Sequence, residues 1–222
     1  MIKLPEGFRL ERGLVWPDMD RDCAKVIFDM EKDLDHVWPY VGPDGFTNCV
    51  QAGGNCGIWP RALAKRFETV YTAEPHPLNF VALTINTAEL PNVVRFQAAF
   101  GHDRGAKIRL ALQEHEKANC GAFYVESGGR IPTMCIDDLA LKECGLIYLD
   151  IEGSEQNALV GATQTIERCR PVIVIEDKGL SRRYGTEKGD CERWLDDCFE
   201  YVVAKRVHRD VILIHASLIG NA

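Results

Sequence analysis

The chain has 222 residues, 46% of them apolar and 27% charged, with a formal net charge of −7. Those figures suit one domain with a sizeable buried core and exclude a disordered or collagen-like chain. The acidic balance argues against a nucleic-acid partner, which calls for a basic surplus to displace counterions from phosphates, and no apolar run reaches the roughly 20 residues that span a bilayer.

Residues 1–46 predict an N-terminal helical cap. Ala24, Ile27, Phe28 and Leu34 recur at helical spacing within Asp18–Val37, and a turn-rich stretch, Pro39–Gly45, follows. The opening residues lack the apolar segment of a secretory signal, so a cytoplasmic location is expected. Nine scattered cysteines form no C-x-x-C pair, which fits reduced thiols in a buried core better than a zinc or redox site.

From residue 47 onward the pattern alternates. Thr47–Gly53, Thr69–Glu74, Val93–Phe100, Leu146–Asp150 and Pro171–Glu176 read as strands, and Ile58–Phe67, Leu78–Leu90 and Ser154–Cys169 as helices. Strands alternating with helices imply right-handed crossovers and a parallel sheet covered on both faces. Tyr201–Val207 and Val211–His215, joined by a short polar turn, add an antiparallel hairpin. The prediction is therefore a Rossmann-like α/β domain over residues 47–222, with a mostly parallel seven-stranded sheet. Strand-like pieces at Lys107–Leu112 and Ala122–Glu126 predict a β insertion at about 103–132.

Ligands of open α/β sheets bind outside the carboxyl ends of the strands. The first strand ends in Gly53-Gly-Asn-Cys-Gly57, where glycines allow positive φ and close backbone approach. The dinucleotide fingerprint G-x-G-x-x-G is not met, because residues 55 and 58 are Asn55 and Ile58. The second strand ends in Glu74, placed to accept hydrogen bonds from ribose hydroxyls. The fourth ends in Asp150-Ile-Glu-Gly-Ser-Glu155, three carboxylates within six residues whose repulsion must be offset by a sulfonium, a metal ion or helix N-termini. The fifth ends in Glu176-Asp177.

Gly53–Gly57, Glu74-Pro-His-Pro-Leu-Asn79, Asp137-Asp-Leu139, Asp150–Glu155 and Arg170-Pro171…Glu176, in that order, resemble the FkbM-like methyltransferases. The resemblance covers roughly residues 47–177. It implies a class I methyltransferase fold and methyl transfer from S-adenosylmethionine to a hydroxyl of a sugar or small metabolite. It also implies that Gln51, Gly53, Gly54, Asn55, Gly57, Glu74, Pro75, Asn79 and Asp150 bind the cofactor. Two positions depart from the family pattern: Gln51 stands where an acidic residue is usual, and Gly54 where alanine is.

Methyl transfer to a hydroxyl needs alignment and a base or metal to raise the nucleophilicity of the acceptor. Asp150 and Glu152 are the candidate catalytic residues, with His76, His102 and His115 as other bases. Carboxylates in similar places hold magnesium in metal-dependent methyltransferases, which makes Asp150, Glu176 and Asp177 a candidate Mg²⁺ set. A small-molecule or glycan hydroxyl acceptor is expected to meet the cap, the 103–132 insertion and the Lys178–Asp190 loop. The alternatives are a catalytically weak S-adenosylmethionine-binding module and a nicotinamide-dependent oxidoreductase.

Overall fold

The structure is a computed structural model that describes residues 4–112 and 114–219; the outer ends of the expected cap and domain, 1–3 and 220–222, lie outside it. The chain begins with a hairpin of β1 (Phe8–Glu11) and β2 (Leu14–Pro17). The helix α1 (Cys23–Met30) follows. The expected helix started at Asp18, but Asp20 caps it instead: its carboxylate accepts from the N–H groups of Cys23 (3.1 Å) and Ala24 (2.9 Å). Beyond Met30 the chain tightens into 3₁₀ turns through His36.

Next come β3 (Asn48–Ala52), α2 (Ile58–Leu63), β4 (Thr69–Ala73), α3 (Pro77–Asn86) and β5 (Val93–Phe96). The expected strand 93–100 breaks after Phe96, because β6 (Ala99–Phe100) leaves the main sheet. With β7 (Lys107–Ala111), β8 (Tyr124–Ser127) and β9 (Ile131–Met134) it forms a separate four-stranded sheet, ordered β6-β9-β7-β8. The insertion is thus one strand richer than its sequence pattern.

The chain then returns to the main sheet as β10 (Leu146–Leu149), followed by α4 (Glu155–Val160) and α5 (Thr163–Cys169). A continuous helix was expected here. It breaks at Gly161, where a Cβ would lie 2.1 Å from the carbonyl of Gly101. The remaining elements are β11 (Val172–Glu176), α6 (Asp190–Phe199), β12 (Tyr201–Val207) and β13 (Asp210–His215).

The main sheet has seven strands in the order β12-β13-β11-β10-β3-β4-β5. The five from β11 to β5 are parallel, and β13 and β12 run antiparallel at one edge. Every residue of β10 and β11 is buried, as strands covered on both faces require. Alternate side chains feed two cores: Leu146 and Tyr148 pack with Trp16, Leu34 and Trp59, whereas Ile147 and Leu149 pack with Ile166 and Leu195. The chain leaves β3 toward β4 and later returns on its other side as β10. That reversal opens a crevice at the carboxyl ends of β3 and β10. Among the described residues no helix is long and apolar enough to cross a membrane.

Candidate active site

At the crevice the backbones of two strands nearly touch. Gly53 adopts φ +82°, and a Cβ there would lie 1.9 Å from the carbonyl oxygen of Asp150. Only glycine lets β3 turn away at this point. Asn55 also has positive φ, and its side-chain oxygen accepts from the N–H of Cys56 at 2.6 Å.

Around this turn lies a cavity of about 310 Å³ whose wall includes Gly53, Asn55, Glu74, Asn79, Phe100, Asp150 and Lys178. Glu74 is buried, and its two oxygens accept from the backbone N–H groups of Asn55 and His76, each at 2.7 Å. Each oxygen keeps a lone pair for a ligand hydroxyl. Burial pushes the Glu74 carboxyl up to about 7 against these stabilising bonds. Two buried polar atoms in the same wall, Trp59 Nε1 and Asn79 Oδ1, have no hydrogen-bond partner among the described residues. Unpaired buried polar atoms are costly, and a donor and an acceptor left open in one cavity wall mark places for a polar ligand.

At one end of the cavity the carboxylates of Asp150, Glu152 and Glu176 converge, with one oxygen of each within 4.8 Å of the others. Lys178 stands among them, its Nζ 2.6 Å from Glu176 and 3.0 Å from Glu152. Burial and the Asp150 carboxylate drive the Glu176 carboxyl far above the usual range, against the pull of Lys178. Glu152 is held at positive φ (56°) in the turn that follows β10. The Glu155 carboxylate braces that turn by accepting from the N–H groups of Ile151 and Gly153.

A model of the methyltransferase FkbM domain matches residues 51–199, more than half of the chain. The chain belongs to the FkbM methyltransferase family. The matched family is one of S-adenosylmethionine-dependent methyltransferases, and the seven-stranded sheet has the Rossmann-like fold of that class. Among solved structures it is similar to the FkbM methyltransferase of Methylobacillus flagellatus KT, with a TM-score of 0.53 and 22% identity over 76% of this chain and 44% of that one. The chain therefore spans less than half the length of that relative. It is also similar to a chain of a fibrillarin/Nop5p complex, with a TM-score of 0.50 and 15% identity over 96% of this chain and 98% of that one. At these identities the likeness is one of fold. No curated protein sequence matches the chain.

Within this FkbM domain the expected residues divide into two groups. Gly53, Asn55, Glu74, Pro75, Asn79, Asp150, Glu152 and Glu176 line the cavity together. Gln51, Gly54 and Gly57 do not; they shape the turn from behind. Gln51 is fully buried, its amide donating to the carbonyls of Ala52 (2.9 Å) and Gly53 (3.0 Å) and accepting from the Thr72 hydroxyl (2.5 Å). A methyl group on Gly54 or Gly57 would press on the Leu83 side chain of α3.

Asp177 is a correction to the candidate metal set. The side chain after Glu176 turns to the opposite side of the strand, and its oxygens accept from the N–H groups of Gly179 and Gly189 at 3.1 Å. Among the histidines, His76 stacks on Phe123 at 4.1 Å, and burial pushes it down to about 4. His115 is exposed and lines neither large cavity beside the sheet's carboxyl edge. Trp59 and the cavity-lining pair Cys23 and Cys120 were missed, and Lys178 was expected only as the start of the acceptor-facing loop. Lys178 had a readable signal: it lies two residues after Glu176, on the same side of an extended chain.

Proposed function

We propose that this domain transfers the methyl group of S-adenosylmethionine to a hydroxyl of a small-molecule or glycan acceptor. One observation carries the reading: a carboxylate cluster, not an apolar wall, stands at the carboxyl end of β10 where the turn of β3 meets it. A hydroxyl is a poor nucleophile near neutral pH and needs a proton acceptor beside it, which such a cluster supplies.

The cavity residues suit the cofactor. Glu74 is the group that takes the ribose hydroxyls, and the open atoms of Trp59 and Asn79 are the polar partners for its other parts. When bound, S-adenosylmethionine supplies an electrophilic methyl carbon that needs no further activation. The residues of the chain then align the acceptor and receive its proton at an oxygen of Asp150. Lys178 keeps its charge, since the carboxylates around it raise its pKa above the ordinary value against burial. Its positive charge offsets the repulsion that the strand ends create.

Magnesium fits this donor set poorly. Asp150, Glu152 and Glu176 approach one another closely enough, but Lys178 already occupies two of the three, and a dication would have to displace it.

The test is methyl transfer from labelled S-adenosylmethionine to a panel of hydroxylated acceptors, run with the wild type and Asp150→Asn. The substitution keeps shape and removes the charge. It is expected to lower kcat by about 10²–10⁴, the usual worth of a positioned general base. A methyl group found on nitrogen or carbon, or an Asp150→Asn enzyme with full kcat, contradicts the reading.

A further inference from the structure

Beside the cofactor cavity lies a second one of about 730 Å³, between the four-stranded insertion and the segment 183–184. The two share Ala99, Phe100, Val125 and Ser154 as wall, so the second opens beside the first. If methyl transfer occurs at Asp150, this is the space an acceptor has available.

Two of the three arginines of this region are paired. Arg182 pairs with Glu187 at 2.7 Å and Arg109 with Glu126 at 2.8 Å. Arg183, half-buried, has no carboxylate within ion-pair distance among the described residues. Its guanidinium carbon lies over the Tyr124 ring, 4.0 Å from the centroid. The neighbouring Tyr184 hydroxyl donates to the carbonyl of Val125 at 2.9 Å and ties this segment to β8. The cation–π contact with Tyr124 and the Tyr184 tie restrain the guanidinium in the wall of the cavity. A half-desolvated cation with no carboxylate at ion-pair distance among the described residues is unfavourable, and a planar fork of donors matches an oxyanion in two hydrogen bonds.

We propose that the second cavity is the acceptor site and that Arg183 selects acceptors carrying an oxyanion, a carboxylate or a phosphate, near the hydroxyl to be methylated. The proposal rests on the methyl-transfer reading of the adjoining cavity. Lys107, exposed on the same wall, adds positive charge and has no carboxylate at ion-pair distance among the described residues.

The experiment uses protein saturated with S-adenosylhomocysteine and follows the arginine Nε–Hε resonances by NMR. Inorganic phosphate, acetate and neutral glucose are titrated in turn. One resonance, assigned by its loss in Arg183→Gln, is expected to move saturably with an anion, at a dissociation constant of millimolar order, and to stay still with glucose. Whether phosphate or acetate moves it further distinguishes the two oxyanions. Arg183→Lys keeps the charge and loses the fork, and is expected to bind the anion at least about fivefold more weakly. Retained S-adenosylhomocysteine binding by both variants shows that they fold. Movement with neither anion, or equal anion binding by Arg183→Gln, overturns the proposal while leaving the methyl-transfer reading intact. Failure of S-adenosylhomocysteine itself to bind would instead refute that reading.

Discussion

At the scale of single residues, the turn after β3 explains both departures from the family pattern together. The Thr72 hydroxyl donates to Gln51, and a Cβ at position 54 would lie 2.7 Å from that same hydroxyl oxygen. An amide at 51, a threonine at 72 and a glycine at 54 therefore form one packed set, and none of them touches the cavity. Gly53 is the residue on which the site most depends. Gly53→Ala puts a methyl group into the Asp150 carbonyl at a positive φ that alanine disfavours. It is expected to cost about 2–4 kcal/mol in chemical denaturation and to weaken cofactor binding. An alanine variant of wild-type stability would show that β3 and β10 do not approach as described. Glu74 and Asp150 were legible because a carboxylate at the end of a parallel strand has a defined place. The place of Lys178 beside Glu176 was readable from their two-residue spacing, but its pairing with Glu152 and the contact of Arg183 with Tyr124 were not, since each depends on a partner from another part of the chain.

At the scale of elements, the apolar runs Leu146–Leu149 of β10 and Val172–Ile175 of β11 announce themselves, because strands buried on both faces need such residues throughout. The hairpin of β1 and β2 did not. Its strands are four residues each, and its turn uses Arg12 at positive φ before Gly13, not a residue that usually marks such turns. The hairpin is held by tertiary contacts. Asn86 of α3 accepts from the N–H of Val15 at 2.7 Å, donates to its carbonyl at 2.8 Å, and donates to the Cys56 carbonyl at 2.7 Å. It acts as a fragment of a neighbouring strand for β2. Asn86→Ala leaves those buried groups unpaired and is expected to destabilise by about 2–3 kcal/mol. Retention of full stability would mean that water replaces the amide. The helix α6 was also missed: only Cys191 and Leu195 are buried along it, too few for a periodic apolar signal. In the insertion, β9 carries a proline and pairs with β7 over only two residues, so neither pattern nor length marked it as a strand.

At the scale of the whole molecule, buried carboxyls set the pH response. Burial raises Glu74 and Glu155 from 4.5 to about 7, and Asp210 from 3.8 to about 7. The folded state thus holds more protons than the unfolded chain as pH approaches 7, and the stability this confers is lost as pH rises through that value. His76, lowered from 6.5 to about 4 by burial, works in the opposite sense and only below about 6.5. The thermal midpoint of the ligand-free protein is therefore expected to fall between pH 6.5 and 8, and Glu155→Gln to flatten that fall. A midpoint that rises over this range would mean these carboxyls are ionised in the folded state. The most direct measurement of the central claim is isothermal titration with S-adenosylhomocysteine. The account predicts a single site per chain. Ligand at about 100 times its dissociation constant should then add roughly 2.7 kcal/mol to the unfolding free energy, and Glu74→Ala should weaken binding by about 1.5–3 kcal/mol. Absence of both heat and thermal shift would contradict it.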